Sequence, residues 1–548
     1  MEGIPKGPTT GKLPNGWSIP RIQVGPSLLL GIVVVAACLV LLSTSRKSRL
    51  MPIYIPIEVG ITVSALQRGG MLPKILYLLR RYGRPFFGIS ARHQITHNLA
   101  DSDRFLSQSH HALDNIPVSW NMYVRCLGVQ DSKTLYDKYF AASRELLIAV
   151  EKEFLNETGT IIAIERGDIK GKVAKLVSFS TQPREFWEQR AAPKLLQDDV
   201  VELDLASAVR DLTAHVALEV IYGKDFVDRC GAHFIPDMWY FMDNAFLPLL
   251  VGLPTWLPFN SIRNGVAACT RLRDRLADLF RRIEQYQSGQ PVDYNADMSD
   301  LSTTALERNK TYRKYGFNIN ERADIEIGIV FGQNANTPVM TFWFLVTLYT
   351  VPGLLPLVRE EISPYITISG ANNTSNEIAS LDHVGLYKQC PLFKSALFET
   401  VRVSGGSVPM RYVSRPVPAT MADGSKHMLQ PGTWVSVPDA LSNNNPSIYP
   451  SPKDFIPERF IEVNERTGEK VARYGRLKGV WGSGAGVCRG RTYAIMEALS
   501  ICAGFISLWD VEALDGGPLQ PPPKDPHRKM PVNGWRVRVK RRAYVGPT

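Results

Sequence analysis

A lone cysteine in a glycine-rich loop is the feature of this sequence with the clearest chemistry. The stretch from Trp481 to Glu497 has the sequence WGSGAGVCRGRTYAIME, in which Cys488 directly precedes an apolar, helix-like run. A helix N-terminus favours the thiolate form of a cysteine through its dipole and its unpaired N–H groups. Glycine allows the backbone to approach a flat ligand and to donate N–H groups to a sulfur atom; the loop has four glycines, Gly482, Gly484, Gly486 and Gly490. The loop therefore predicts a thiolate ligand for a soft metal such as a haem iron.

Cys488 and its glycines have three other possible interpretations, of which the sequence excludes two. A free cysteine is most often a small apolar core residue, and the loop alone leaves that interpretation open. A dinucleotide-binding pattern, G-x-G-x-x-G, meets Val487 when it starts at Gly482 and Arg489 when it starts at Gly484. A nucleophile elbow around Ser483 would need glycine two residues earlier, where the sequence has tryptophan. Neither of these two motifs is present.

The loop resembles the haem-binding signature of the cytochrome P-450 superfamily, F-x-x-G-x-R-x-C-x-G followed by an alanine and a glutamate. The matching residues are Gly484, Cys488, Gly490, Ala494 and Glu497. Trp481 replaces the phenylalanine, and Gly486 replaces a basic residue that commonly contacts a haem propionate. The resemblance implies Cys488 as the iron ligand and a haem-contacting set of Trp481, Gly482, Gly484, Arg489, Gly490 and Ala494. From its position after Arg402, Arg411 is the predicted substitute for the missing propionate contact.

Two further motifs follow the order found in that superfamily. Glu399 and Arg402 are three residues apart, a spacing that places them on one helical face. About fifty residues later, Phe455–Phe460 has the sequence FIPERF and resembles the Pro-Glu-Arg-Phe segment of the family. The resemblance implies that Arg459 joins Glu399 and Arg402 in a buried structural triad behind the haem loop.

A long apolar segment predicts the helix on the opposite, distal side of the haem. It extends from about Asn320 to Tyr349 and has one breaker, Pro338, which cannot donate a hydrogen bond to the carbonyl group of Asn334. The predicted result is a bent helix with a widened turn beside Asn336 and Thr337. A hydroxyl and an amide at this turn could supply protons during dioxygen activation, so these two residues are the predicted catalytic pair.

The pair departs from the superfamily, in which most members have an acid before the threonine. An asparagine cannot relay a proton as a carboxylate does. The segment around Asn336 is similar to the branch that holds sterol 7α- and 12α-hydroxylases and prostacyclin synthase, and that branch contains both oxygenases and an isomerase.

The predicted substrate-facing residues are Phe331, Gln333 and Asn334 on the distal helix and Ser407 and Val408 across the haem.

Composition and charge exclude several other classes. The seven cysteines of the 548 residues are scattered and form no Cys-x-x-Cys pair, which disfavours a disulfide framework or a zinc ribbon. His93 and His97 have His-x-x-x-His spacing but lack the glutamate and third ligand of a zinc protease. The net charge is +11, but the basic residues are spread along the chain, and nucleic acid is not a predicted partner. The densest run, residues 536–542, begins by alternating with valines and predicts an edge strand with a solvated face; an acidic protein partner is the second interpretation.

An uncharged segment near the start predicts a membrane anchor. Residues 22–45 carry no charged side chain and are long enough to cross a hydrocarbon core of about 30 Å. The polar residues 1–21 before it and the basic, proline-containing residues 46–60 after it favour an uncleaved anchor with a luminal N-terminus over a signal peptide. The sequence therefore predicts a single-pass protein of the endoplasmic reticulum membrane, with residues 61–548 as a cytosolic catalytic domain.

The remaining pattern predicts a mainly helical fold with a small β region, which the resemblance identifies as the cytochrome P-450 fold. Helical periodicity is clear over residues 206–222, short strands are predicted around Arg411 and Trp434, and residues 285–311 have the composition of a surface loop.

Together these features predict a haem-thiolate monooxygenase that inserts one oxygen atom from O2 into a C–H bond. The resemblance implies haem b as cofactor and NADPH as electron source, through NADPH–cytochrome P-450 reductase with cytochrome b5 as a second candidate donor. The predicted substrate is a lipophilic terpenoid, steroid or polycyclic compound, in a fungal type of secondary metabolism. A reductase-independent haem-thiolate isomerase or dehydratase, and a non-catalytic haem sensor, remain as alternatives.

Overall fold

The computed structural model describes most of the chain after residue 85. The described residues are 86–90, 93–96, 99, 101–250, 255, 259–369, 377–404, 409–437, 443–476, 480–523, 530–531 and 534–542. The predicted N-terminal segment, anchor and linker lie outside them, and so does His97. All the described residues belong to one compact unit.

Helices form the greater part of the described residues. They are α1 (Ser102–Leu106), α2 (Ile116–Arg125), α3 (Lys133–Phe154), α4 (Glu157–Arg166), α5 (Ile169–Ala174), α6 (Phe186–Arg190), α7 (Leu205–Tyr222), α8 (Lys224–Phe241), α9 (Leu247–Leu250), α10 (Asn260–Gln287), α11 (Thr303–Lys314), α12 (Ile319–Asn334), α13 (Thr337–Thr350), α14 (Leu354–Ile362), α15 (His383–Gln389), α16 (Pro391–Ser404) and α17 (Arg491–Leu508). A π-helical turn, Met242–Phe246, joins α8 to α9.

The strands are short. They are β1 (Phe86–Ser90), β2 (His93–Thr96), β3 (Leu113–Asp114), β4 (Lys194–Gln197), β5 (Val200–Asp204), β6 (Ile366–Ser369), β7 (Glu377–Leu381), β8 (Met410–Val413), β9 (Val417–Thr420), β10 (Lys426–Leu429), β11 (Trp434–Ser436), β12 (Ile461–Val463), β13 (Lys470–Ala472), β14 (Trp509–Glu512) and β15 (Arg536–Arg541). The predicted combination of a mainly helical body with a small β region is confirmed.

The strands pair in small sheets at the margin of the helical body. One sheet has the order β1-β2-β11-β8-β3 and contains the two strands predicted around Arg411 and Trp434. A second has the order β14-β15-β5-β4, in which β15 pairs with a neighbour on each side. The prediction of an edge strand at 536–542 is therefore wrong. The valines of β15 are buried, and Arg536 forms an ion pair at 3.0 Å with Glu202 on β5, so the charges do not prevent pairing on both sides.

The core is built around α17, α7 and α13. From Tyr493 to its end every residue of α17 is buried, and α7 is buried along most of its length, as its three-and-four periodicity predicts. Among the described residues, α17 is the one unbent helix long and apolar enough to span a bilayer, but it packs inside the protein. The predicted loop over 285–311 is partly wrong because α11 starts at Thr303. Ser302 caps this helix by accepting a hydrogen bond from Ala305 N at 2.9 Å, and the polar residues that follow are buried against other helices.

The predicted distal helix is divided into two. Asn318 and Glu321 form a capping box that starts α12, with bonds of 2.9 and 2.8 Å. The helix ends at Asn334, and α13 begins at Thr337 with proline as its second residue. Proline fits the first turn of a helix, where its missing N–H leaves no bond unmade. The break therefore lies at residues 335–336, beside Asn336 and Thr337, where the sequence predicts the bend.

The N-terminal half of α12 is fixed by a buried carboxylate. Glu326 has no exposed surface and accepts hydrogen bonds from Arg308 at 2.8 and 2.9 Å, from Tyr312 at 2.8 Å and from Tyr222 at 2.9 Å. These partners lie on α11 and α7. A buried charge is tolerated only when it is paired and hydrogen-bonded in this way, so the network holds α12 firmly against two neighbouring helices.

Candidate haem-thiolate site

The loop before α17 is closed by its own backbone. The N–H of Cys488 donates to the carbonyl oxygen of Trp481 at 2.6 Å, and Gly486 N and Val487 N donate to Ser483 O and Gly484 O, both at 3.1 Å. Helix α17 then starts three residues after Cys488. The cysteine is thus held at the entrance of a helix, as the sequence predicts.

Two glycines of this loop are required by its geometry. Gly482 and Gly484 have φ values of +70° and +56°, in the left-handed region that other residues rarely adopt. A Cβ atom on Gly484 would also lie 2.5 Å from Ser107 Cα at the end of α1, and one on Gly482 would overlap the carbonyl oxygen of Gly486. The loop can make this compact turn only with glycine at both positions.

The sulfur of Cys488 is accessible at the surface of the loop, and opposing influences act on its pKa. Burial of the thiol by the surrounding protein raises its pKa above the ordinary value, while a hydrogen bond from Gly490 N–H and the charges of Arg491 and Arg489 lower it. The stabilising groups predicted from the helix N-terminus are present, but desolvation outweighs them. The ligand-free chain therefore favours the thiol, and a bound metal cation would stabilise the thiolate.

The donor set fits a haem iron. In the part of the chain that the structure describes, no group of three or more His, Cys, Asp or Glu side chains could hold a metal ion by itself. Cys488 thus offers one soft ligand with a backbone N–H donor and two nearby guanidinium groups. A single thiolate holds iron when a macrocycle supplies the other ligands, and the glycine turn leaves room for a flat group at the sulfur.

Arg411 on β8 fills the space beside Gly486. Its Nη2 donates to Ser483 O at 2.9 Å and its Nη1 to Met410 O at 2.9 Å, and the side chain is almost entirely buried. A Cβ atom on Gly486 would lie 2.6 Å from Nη2 of this arginine. The residue that departs from the family pattern therefore makes room for a guanidinium group from another element. This placement supports the choice of Arg411 as the substitute for the basic residue of the loop.

Arg489 and Ala494 are less direct candidates for contact with a haem. Arg489 forms an ion pair with Glu151 on α3, with 3.1 Å between Nη1 and Oε2. Ala494 lies one turn into α17, where its N–H donates to Gly490 O at 2.9 Å. The ion pair directs Arg489 toward α3, so it ties the loop to that helix and does not support a direct haem contact.

Asp103 and Ser483 are site residues that the sequence did not reveal. Ser483 Oγ donates to Asp103 Oδ1 at 2.9 Å, while its carbonyl oxygen accepts from Arg411. The loop is therefore braced by α1 through one side of this serine and by β8 through the other. Asp103 is 380 positions away in the chain, and no local pattern connects it to the loop.

The structure brings Glu399, Arg402 and Arg459 together. Both carboxylate oxygens of Glu399 accept from Arg402 at 2.7 Å and from Arg459 Nε at 3.0 and 3.1 Å. The Glu399 and Arg402 side chains have no exposed surface. The remaining N–H groups of the two arginines donate to backbone carbonyl groups in the segment that starts at Asn443. Arg402 binds Asn443 O at 2.9 Å and Pro452 O at 2.8 Å, and Arg459 binds Pro450 O at 2.6 Å. The triad joins α16 to the segment that leads toward the haem loop.

The residues at the break between α12 and α13 differ in exposure. Asn336 is exposed, and its Nδ2 lies 3.5 Å from Gly332 O, while Thr337 is 7% exposed and its carbonyl accepts from Thr341 Oγ1 at 2.9 Å. Gly332 is exposed as well, and a Cβ atom added there would meet nothing within 4 Å. The amide and the open face of α12 are therefore accessible to a ligand, with the threonine immediately behind them.

The predicted substrate-facing residues on α12 have other partners. Asn334 is fully buried and donates to Val330 O at 2.9 Å, and Gln333 donates to Ala217 O on α7 at 2.6 Å. These placements do not support substrate contacts by the amide NH2 groups of Gln333 and Asn334, because both donate to backbone carbonyl groups of the protein. Phe331 is half-buried and stacks on Phe246 of the π-helical turn, with ring centroids 4.4 Å apart. Ser407 and Val408 lie outside the described residues.

Glu497 is a buried acid two turns into α17. Its Oε1 accepts from Tyr493 Oη at 3.2 Å, and Oε2 has no partner among the described residues. Burial raises its pKa from 4.5 to about 8, and the hydrogen bond from Tyr493 compensates in part. The carboxyl group is therefore neutral over much of the physiological range.

Removing one member of the triad is predicted to empty the site. Alanine at Glu399, Arg402 or Arg459 removes one partner from this buried charge network, at a cost of about 3–5 kcal/mol, and loosens the segment behind the loop. We expect each variant to lose most of its haem, measured as Soret absorbance per polypeptide. Lys310→Ala, which removes an exposed ion pair with Glu307, is the matched control and retains its haem. A triad variant with full haem content would contradict the prediction.

Glu497 is predicted to make the protein less stable as pH rises. Its folded pKa of about 8 exceeds the ordinary value of 4.5, so its stabilising contribution is complete below about pH 4.5 and is lost between there and pH 8. The free energy of unfolding should fall by about 1.4 kcal/mol per pH unit in this interval, and Glu497→Gln should remove that slope. Urea unfolding of wild type and variant at several pH values between about 4.5 and 8 measures this slope. Parallel pH profiles for wild type and variant would show that the carboxyl group is already ionised in the folded protein.

Comparison with known sequences adds an independent line of evidence. Residues 186–533 match the sequence profile of the family Cytochrome P450, which is more than half of the chain. A cytochrome P450 monooxygenase from Gibberella zeae is 24% identical over 319 residues, 58% of this chain and 57% of that protein. Cholesterol 7-alpha-monooxygenase from Cricetulus griseus is 25% identical over 285 residues, 51% and 53% of the two chains. The 7-alpha-hydroxycholest-4-en-3-one 12-alpha-hydroxylase from Oryctolagus cuniculus is 26% identical over 229 residues, 39% and 44%.

The matched region spans about half the length of these curated relatives. The family profile, which matches residues 186–533, covers the break between α12 and α13, the triad and the whole cysteine loop. Sequence motifs, fold and family profile agree over this region, and the chain belongs to the cytochrome P450 family.

Proposed function

We propose that this chain is a haem-thiolate monooxygenase that inserts one oxygen atom from O2 into a C–H bond of a lipophilic substrate. The observation that carries the proposal is the geometry of Cys488, an accessible sulfur in a glycine turn with a backbone N–H and two guanidinium groups around it. Family membership implies a haem-thiolate iron cofactor. Bound haem supplies the activation of dioxygen and the transfer of oxygen to the substrate.

The residues around the sulfur hold its negative charge. Gly490 N–H and the charges of Arg491 and Arg489 favour the thiolate, which would hold the haem iron and donate electron density to it. Ser483 fixes the loop between Asp103 and Arg411, so the sulfur keeps its position. Arg411, buried next to Gly486, would hold a haem propionate. Trp481, half-buried at the start of the loop, would provide an aromatic wall beside the sulfur.

At the distal helices, the proposed proton donor is Thr337. Its hydroxyl is at the first residue of α13, beside the exposed amide of Asn336. Asn336 can orient a water molecule by hydrogen bonds but cannot itself exchange a carboxyl proton. Protons would reach the oxygen through Thr337 Oγ1 and ordered water.

Similarity to sterol hydroxylases favours a rigid polycyclic substrate. Several curated relatives act, by their names, on cholesterol or its derivatives, and a fungal relative is named as a monooxygenase. At 24–26% identity this similarity favours a steroid, terpenoid or related polycyclic compound, and a role in fungal-type secondary metabolism. Exposed Gly332 and half-buried Phe331 are the α12 residues best placed to contact it.

The proposed electron source is NADPH through a membrane-bound reductase, with cytochrome b5 as a second donor. An anchor at residues 22–45 would place the chain in the endoplasmic reticulum membrane with the catalytic domain in the cytosol. Such an anchor would keep the catalytic domain at the membrane, where a lipophilic substrate is concentrated.

An isomerase or dehydratase is the second candidate because Asn336 replaces the usual acid. Incubation with sterols and terpenoids, reductase, NADPH and ¹⁸O2 separates the two reactions. A monooxygenase gives a product that carries one ¹⁸O atom and depends on NADPH. A product that forms equally well without NADPH and carries no ¹⁸O atom would refute the proposal and favour the isomerase.

Thr337→Ala is predicted to uncouple electron transfer from product formation. Without the hydroxyl, the ratio of hydrogen peroxide to product per NADPH should rise about 10-fold or more, because a positioned proton donor is lost. The carbon monoxide spectrum should not change. Thr347→Ala is the matched control. Thr347 lies ten residues further along the same helix, and its Oγ1 donates to Trp343 O at 2.8 Å. Equal coupling in both variants would exclude Thr337 as the donor.

A further inference from the structure

Helix α2 packs against two elements that carry predicted site residues. They are β8, which carries Arg411, and α12, which leads to Asn336. It also follows β3 directly, and β3 pairs with β8 in the sheet. The position of α2 therefore influences the width of the space between these elements.

Two side chains of this helix, Trp120 and Tyr123, are buried, and the others are half-buried. Met122 and Val124 are among the half-buried residues that pack against the core. Trp120 stacks on Tyr139 of α3 with ring centroids 5.9 Å apart and donates from Nε1 to Asp131 at 3.3 Å. Tyr123 is the anchor to α12. An element with two buried side chains opens locally at a lower free energy than the core does.

Tyr123 reaches the backbone of α12 at a glycine. Its hydroxyl donates to Ile325 O at 3.0 Å, and its ring lies directly on Gly328. A Cβ atom on Gly328 would overlap that hydroxyl and would lie 2.5 Å from Tyr123 Cζ and 2.7 Å from Cε1. The tyrosine is 7% exposed, and an edge contact with Tyr139 at 5.3 Å confines its ring. The ring cannot turn away without moving α2.

The partner helix is the rigid side of this contact. Glu326 lies between Ile325 and Gly328 and is held by Arg308, Tyr312 and Tyr222 from α11 and α7. Any added volume at Gly328 is therefore accommodated by displacement of α2, because α12 is fixed from the other side. Sequence alone gives no sign of this pairing, because residues 123 and 325 are 202 positions apart.

We propose that Tyr123 and Gly328 form a spacer that sets the distance between α2 and α12, and that Tyr123 is thereby a positioning residue that determines the size of ligand admitted to the site. This inference rests on the proposed function for the nature of the ligand. The contact between the two helices does not depend on that function and can be tested alone.

Hydrogen exchange tests the spacer. In Gly328→Ala, exchange of the amides of residues 116–125 should accelerate by about 10-fold or more, while exchange in α16 and α17 should not change. Tyr123→Phe loses one hydrogen bond and keeps the ring, so a smaller increase of about 3- to 10-fold is expected. Gly475→Ala is the control, since it adds the same methyl group in open space, at a residue with no part in the proposed site.

A compensating double variant separates the spacer from general damage. Gly328→Ala combined with Tyr123→Leu replaces the ring that the new methyl group would strike, and exchange of residues 116–125 should fall back toward that of Tyr123→Leu alone. Unchanged exchange of residues 116–125 in Gly328→Ala would overturn the proposal. Equal acceleration over the whole chain, or a double variant no better than Gly328→Ala, would overturn it as well.

Two azoles of different size test the consequence at the haem. Imidazole and 4-phenylimidazole bind ferric haem iron through nitrogen and shift the Soret band. In Gly328→Ala the affinity for 4-phenylimidazole relative to imidazole should rise at least about 5-fold, and the double variant should restore the wild-type ratio. An unchanged ratio would overturn the role in ligand size. Failure of the proposed haem site itself would instead appear as absence of both Soret shifts in the wild type, with the exchange result unaffected.

Discussion

The structure depends on one electrostatic constraint, the need to keep a negative charge on the Cys488 sulfur inside protein that disfavours it. Desolvation alone raises the pKa of the thiol, and the nearby donors offset only part of this effect. A bound metal cation would stabilise the thiolate further. The loop geometry, the braces behind it and the long helix that follows all contribute to holding the sulfur where such a cation can reach it.

The braces act from several directions at once. Ser483 connects the loop to α1 through Asp103 and to β8 through Arg411, Arg489 connects it to α3, and the buried triad fixes the segment behind it. Each contact joins parts of the chain that are far apart in sequence. A loop of glycines would otherwise have many conformations, so these contacts compensate for the entropy that glycine loses on folding.

The sequence predicted the features that short motifs encode. The cysteine loop, the Glu399–Arg402 spacing, the strand around Arg411 and the helix over 206–222 all depend on residues close together in the chain, and the structure has each of them. The choice of Arg411 came from its position alone, and its contact with Gly486 gives that choice a physical reason.

What the sequence could not predict depends on contacts between distant residues. The composition of residues 303–311 predicts a loop where α11 begins, because its polar residues are satisfied by other helices rather than by water. The alternation in β15 predicts an edge strand, because the pairing partner on β5 is more than 300 positions away. The sequence predicts that Gln333 and Asn334 face a ligand, but their amides donate to backbone carbonyl groups of the protein. The contact of Tyr123 with Gly328 has no local signal at all.

The measurement that tests the central claim most directly is the difference spectrum of the reduced, carbon monoxide-bound protein, recorded for wild type and Cys488→Ala in the same membranes. We predict a Soret band at the strongly red-shifted position of thiolate-ligated haem in the wild type and its loss in the variant. A wild-type protein that is folded and loaded with haem but lacks this band would contradict thiolate ligation by Cys488 and the function proposed from it.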